Sequence, residues 1–243
     1  MTKEESFWNI AENVLKDMLQ KLPGLCPDQY VLQIFKLKGQ PQNPESVFPK
    51  SKRIDIFEQD TLDLTDVFGN ILTSPKVKSP FMIFILESPH KKEFDKNGKP
   101  IGPAMGNTGI NIREHIRENF RKHIKHFQNY HLILMNAIPF QCSLGVEPPG
   151  SIRDAVFDAA WEDEKVGKSF FEDRLDSLLK ALQKKTVVIV NACTASKSRK
   201  SNVTKAILKK LNKWVKEVWE VPHPSSPHWC KGKNFKKIYT SKS

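Results

Sequence analysis

The sequence predicts a three-layer α/β/α sandwich on a central, mainly parallel four-stranded sheet, with an N-terminal helical extension. Three observations carry that prediction. Phe81–Leu86 (FMIFIL), His131–Met135 (HLILM) and Thr186–Val190 (TVVIV) are continuous apolar runs, the pattern of strands covered on both faces. The segments between them repeat apolar residues at steps of three and four, as amphipathic helices do. Strands alternating with helices imply a parallel sheet with helices packed on it. At 243 residues and 39% hydrophobic, the chain can bury one full core.

Taken in order, Phe7, Ile10, Val14, Met18 and Leu22 predict a helix over 6–21, closed by Pro23-Gly24. The short apolar runs that follow are broken by Pro41, Pro44, Pro49 and Pro75, an irregular lead-in. Residues 1–79 are therefore read as an extension packed on a core of 80–243, the whole being one domain. Within the core, Ile112, Ile116, Phe120 and Ile124 mark one helix, and Phe171, Leu175, Leu178, Leu179 and Leu182 a second. Val203, Ile207, Leu211 and Trp214 mark a third, with Asn202 as its N-cap. Residues 217–221 (EVWEV) make a shorter fourth strand.

The net charge of +12 points to a polyanionic partner. Most of the excess lies in 197–243, where the only acids are Glu217 and Glu220. Trp214, Trp219, Trp229, Phe235 and Tyr239, interleaved with these lysines, predict a surface that faces DNA or RNA. The acidic cluster across 154–176 is expected on the far side. Cys26, Cys142, Cys193 and Cys230 are widely spaced, without the pairing a zinc site needs, and read as free thiols of a reducing compartment. His123 and His126, among Arg121, Lys122 and Lys125, read as a solvated basic face. No metal is expected. No apolar stretch reaches the length of a membrane span, and a cytoplasmic monomer is the expectation.

In a parallel sheet, ligands sit outside the carboxyl ends of the strands. Glu87-Ser88-Pro89-His90, Asn136, Asn191-Ala192-Cys193 and Pro222-His223-Pro224-Ser225 follow the four strands in turn. A carboxylate, an imidazole and an amide beside a basic surface fit hydrolysis of an N-glycosidic bond. That reaction needs a positioned water, a negative charge near an oxocarbenium-like centre and a donor to the departing base. Metal-dependent phosphodiester cleavage would want two or more convergent carboxylates.

The order of these motifs resembles the uracil-DNA glycosylase superfamily over roughly residues 80–230. LESPHKKEFDKNGKPIGPAMGNTGINI is similar to the first motif of its thermophile-type branch, with Glu87 on the acidic position and Gly106, Gly109 and Ile110 on its glycine portion. LILMNAIPF resembles the strand whose Asn reads the base, and PHPSSPHW the HPS motif. The resemblance implies that Glu87 orients the attacking water and that His223 donates to the base carbonyl. It assigns Asn136 to the edge of a flipped-out base and Ser225 to a backbone phosphate. Ser88, Pro89, Gly106 and Asn107 join the substrate-binding set, as does His90, for which a phosphate contact and a place in the pocket wall remain equal alternatives. His228, Trp229 and Phe140 are candidates for the wedge that props open the stack. No cofactor is implied.

Three departures refine the expectation. Ser88 stands where the uracil-specific branch carries its Asp. The close cysteine pair of an iron–sulfur branch is missing, so no cluster is expected. Ile101 and Gly102-Pro103-Ala104 replace an aromatic lid, which implies a wider pocket and a bulkier base. The expected activity is a DNA glycosylase that leaves an abasic site, with glucosylated hydroxymethylcytosine of phage DNA as the candidate substrate and antiviral defence as the setting. Uracil repair and a catalytically silent recognition module are the alternatives.

Overall fold

The protein is described by a computed structural model covering residues 2–15, 28–33, 52–54, 80–142, 150–194 and 198–241. Met18, Leu22, Cys26 and the prolines that break the lead-in, Pro41, Pro44, Pro49 and Pro75, fall outside the described residues. In chain order the elements are α1 (Lys3–Leu15), β1 (Asp28–Gln33), β2 (Lys52–Ile54), β3 (Phe81–Leu86), α2 (Asn107–Phe120), β4 (His131–Asn136), α3 (Gly150–Glu162) and α4 (Lys168–Ala181). There follow β5 (Val187–Asn191), α5 (Arg199–Lys209), β6 (Val215–Glu220), the short α6 (Pro227–Cys230) and β7 (Lys236–Thr240).

The sheet is seven-stranded among the described residues, in the order β2-β1-β4-β3-β5-β6-β7. Its four inner strands, β4, β3, β5 and β6, are parallel and are the four that the apolar runs predict. β3, β4 and β5 are buried along their whole length, which is why these strands lack the alternation of a half-wet sheet. Successive side chains still go to opposite faces. Phe81, Ile83, Ile85, Ile133 and Met135 meet α1, α3, α4 and α5 on one side. Met82, Phe84, Leu132, Leu134, Val188 and Val190 meet α2 and α6 on the other. The result is an α/β fold with a mostly parallel sheet between helical layers.

Several sequence expectations need correction. β1 pairs antiparallel with β4, β2 with β1, and β7 with β6, so the sheet extends beyond four strands at both edges. The region before residue 80 is thus more than a helical extension, since it supplies two of those strands. The third helix starts at Arg199 with Ser198 as N-cap, which puts Asn202 inside it. α3 was hidden because its acids drew the reading toward charge. Its buried Val156, Phe157, Ala160 and Trp161 nevertheless form a stripe at helical spacing, and Phe7 of α1 stacks on Phe140 beside it at 4.8 Å.

Candidate active site

β3, β4 and β5 run in register, Leu86 opposite Asn136 and Ile85 opposite Asn191, so their carboxyl ends finish level and their loops converge. A cavity of about 320 Å³ opens there. Glu87, Ser88, Pro89, His90, Gly106, Asn107, His223 and Ser225, eight of the residues singled out in the sequence, line it together with Lys92, Glu93, Thr108 and Thr194. Its size falls within the range of roughly 300–1,000 Å³ usual for ligand clefts.

α2 holds the two halves together. Gly106 caps its N-terminus, and Gly106, Asn107 and Thr108 lie in the cavity wall. One turn along, Asn111 Nδ2 donates to the Pro224 carbonyl at 2.8 Å, fixing the loop that carries His223. The Ser225 backbone N–H donates to His223 Nδ1 at 3.2 Å, with Ser225 Oγ 2.7 Å from the same nitrogen. An Nδ1 that accepts from a backbone N–H leaves the hydrogen of the neutral ring on Nε2, which makes that nitrogen a donor.

Glu87 is 6% exposed, and both its carboxylate oxygens are engaged. Arg199 Nη1 pairs with Oε1, and the Thr194 hydroxyl and backbone N–H donate to Oε2, the latter at 3.2 Å. Arg199, fully buried, also reaches Asp154 at 2.6 Å and Asp158 at 3.7 Å, with Phe157 under its guanidinium at 4.7 Å. Burial opposes its charge, yet Glu87 and Asp154 together hold its pKa above the ordinary value. Asp154 and Asp158 therefore stand behind the cavity, not on the far side as expected.

Asn136 is corrected in a different way. It is 1% exposed and does not line the cavity; Arg174 of α4 donates to its backbone carbonyl. Its amide lies against the carboxyl of Glu93, and neither amide atom makes a hydrogen bond of good geometry. Glu93, which the sequence reading passed over, is 4% exposed, and Glu93 Oε2 lacks a partner. Burial pushes its pKa up to about 8, against the backbone N–H groups of Ala104 and His90 and the Asn136 side chain, which pull it down. A hairpin pins it in place: Phe94 bridges to Pro100, Ile101 N donates to Glu93 O at 2.8 Å, and Asp95 Oδ1 accepts from Asn97 and Lys99. Gly98, at φ 75°, supplies the left-handed residue of that turn.

The wedge candidates separate cleanly. Trp229 is wholly buried, its indole N–H donating to Asn111 O at 3.0 Å and its ring meeting Phe84 edge-on; Phe140 is 1% exposed. Neither can enter a base stack, whereas His228 is exposed on α6. Of the aromatics among the C-terminal lysines, Trp219 and Trp229 are buried and Phe235 and Tyr239 pack against the core, while Trp214 is half-buried with Lys213 Nζ over its ring at 4.9 Å. Lys205, Lys216, Lys231, Lys233 and Lys236 remain exposed.

His90 is exposed and caps the 3₁₀ turn Lys91–Glu93, its Nδ1 accepting from Lys92 N. Cys142 and Cys193 are buried and Cys230 exposed, all free thiols; burial and the nearby Glu87 push the Cys193 thiol up, so it is no nucleophile. His123 stacks on Phe235 in the turn beyond α2. Among the described residues no group of His, Cys, Asp and Glu is arranged to hold a metal ion, and no helix is long and apolar enough to cross a membrane.

A second cavity of about 750 Å³ adjoins the first. It shares Lys92, Gly106 and Asn107 with it and is otherwise lined by Phe94, Asp95, Lys96, Ile101, Met105 and Ile110. Arg199, Thr194 and Glu93 are the residues that sequence reasoning missed. In the sequence Arg199 is one cation among the many of 197–243 and Glu93 one polar residue among Lys91, Lys92 and Asp95; the Phe94 that follows Glu93 is a local sign that the chain turns inward. No protein-family model matches the chain. No curated protein matches it.

Proposed function

We propose that the chain is a DNA glycosylase of uracil-DNA glycosylase type that hydrolyses the bond between sugar and base of a flipped-out, modified nucleotide. The observation that carries this reading is the convergence of Glu87, Ser88, Pro89, His90, Gly106, Asn107, His223 and Ser225 on one cavity at the strand ends. They come from two stretches far apart in sequence, 87–107 and 223–225, and belong to motifs whose residues and order carry the resemblance. His223, with its hydrogen on Nε2, suits donation to a base carbonyl as charge develops there. Glu87 offers negative charge beside the sugar. The head of α2, which has no side-chain cap, and the surface lysines suit the phosphates that flank the flipped nucleotide.

The adjoining cavity favours a bulky base. Ile101, 37% exposed, stands where an aromatic lid would close the pocket, and the space beyond it suits an added sugar such as the glucose of glucosylated hydroxymethylcytosine. Abasic sites, labelled with an aldehyde-reactive probe, should accumulate in such phage DNA and fall at least tenfold with His223→Ala. Labelling of uracil DNA alone would favour uracil repair. One observation favours a silent recognition module: both oxygens of Glu87 are already engaged by Arg199 and Thr194. That reading predicts tight binding of the modified DNA with no abasic sites.

A further inference from the structure

We propose that Glu93 is the proton donor of this site, delivering a hydrogen from its carboxylic acid to the base that departs. The inference rests on the glycosylase reading and adds to it a residue to which the resemblance assigns no role.

The geometry comes first. Glu93 sits in the wall of the same cavity as Glu87 and His223, nine-tenths and more buried, with Oε2 unpartnered. Its backbone is fixed on both sides: its N–H donates to His90 O in the turn that precedes it and its carbonyl accepts from Ile101 N in the hairpin that follows. Behind it lies Asn136, at the end of a fully buried strand, whose backbone is gripped in turn by Arg174. The other charged or titratable groups in the cavity wall are Glu87 and His90 from the loop after β3, Lys92 in its own turn and His223 from the loop after β6. Among the described residues, none is an ion-pair partner of Glu93.

The two carboxyl groups of the cavity thus have opposite surroundings. Glu87 is paired with a guanidinium and receives two hydrogen bonds from Thr194. Glu93 faces an amide and two backbone N–H groups without a cation paired to it among the described residues, and burial keeps it protonated at neutral pH. A pair of carboxyls driven apart by environment is how one site supplies both an acid and a negative charge.

The step balances without a further reagent. The C1′–N bond breaks and its electron pair leaves with the base. The proton on Glu93 Oε2 passes to a ring nitrogen or exocyclic oxygen of that base, which departs neutral. Water adds to C1′, and the proton it sheds passes by way of solvent to the Glu93 carboxylate, restoring the acid. His223 hydrogen-bonds another edge of the base and need not give up its hydrogen.

The test follows single-turnover base release from glucosylated hydroxymethylcytosine DNA and from a uracil oligonucleotide, across about pH 5.5 to 9.5, with wild type and Glu93→Gln. Glutamine keeps the shape and the contact with Asn136 but cannot give up a proton. The wild-type rate should fall above about pH 8. Glu93→Gln should lose that limb and run roughly 10²- to 10⁴-fold slower at neutral pH. In ¹³C-glutamate-labelled protein, a carboxyl resonance absent from Glu93→Gln should titrate near 8. If Glu93→Gln keeps the wild-type rate and profile, or the resonance titrates with ordinary carboxylates, the proton-donor role is overturned while the glycosylase reading stands. If wild type releases no base from either DNA, the glycosylase reading has failed and the role falls with it.

Discussion

Arg199 is the residue on which the arrangement behind the cavity depends. It has no exposed side-chain surface and answers Glu87, Asp154 and Asp158 together, so removing its charge leaves the buried Glu87 and the largely buried Asp154 without their cation. Arg199→Met should cost about 3–5 kcal/mol in urea unfolding, because an uncompensated buried charge is far worse than an exposed one. Glu93 makes the opposite kind of prediction. Between the ordinary carboxyl value of 4.5 and about 8, the folded protein holds a proton that the unfolded chain has released. The folding stability of wild type should therefore fall as pH rises through that window, and Glu93→Gln should remove this part of the slope. Trp229→Ala should cost about 3–5 kcal/mol as a core truncation and lower activity on duplex and single-stranded DNA alike. A loss confined to duplex DNA would reinstate it as a wedge. At this scale the sequence was legible where chemistry follows a strand, as with Glu87 and His223. It was not legible where a side chain's role depends on burial: the same letters describe a solvated Arg, Glu or Trp and a buried one.

The inner strands and their helices declare themselves through continuous apolar runs and four-residue steps, signals that come from burial on two faces or one. β1, β2 and β7 carry no such signal, since DQYVLQ, KRI and KKIYT are short edge segments of mixed character whose pairing is decided by the sheet they join. The junction of α3 and α4 shows a further limit of pattern reading. At Gly167, an added Cβ would lie 2.2 Å from the Ala160 carbonyl and 2.3 Å from that of Trp161. Gly167→Ala should therefore force the two helices apart and lower the melting temperature by several degrees, roughly 2–4 °C per kcal/mol for a chain of this size. The hairpin of residues 94–100 both pins Glu93 and contributes Phe94, Asp95 and Lys96 to the second cavity.

Across the whole molecule, the charge excess and the cavity belong to one account. The C-terminal segment places most of its aromatics in or against the core and many of its lysines outward, so the proposed contact with DNA would be mainly electrostatic. Lys209 and Lys237 are partly spent on Glu172 and Glu217, at 2.7 and 2.6 Å. Binding to DNA should still weaken by roughly a hundredfold to a thousandfold between about 50 and about 200 mM salt, as expected when several phosphates are neutralised. The central claim is that the cavity at the strand ends excises a base. It is tested most directly by mass spectrometry of free bases released from uracil-containing, hydroxymethylated and glucosylated DNAs by wild type, Glu87→Gln and His223→Ala. Release of a bulky modified base that both substitutions reduce at least tenfold is the result predicted here; intact DNA in every wild-type reaction, with binding preserved, would contradict it.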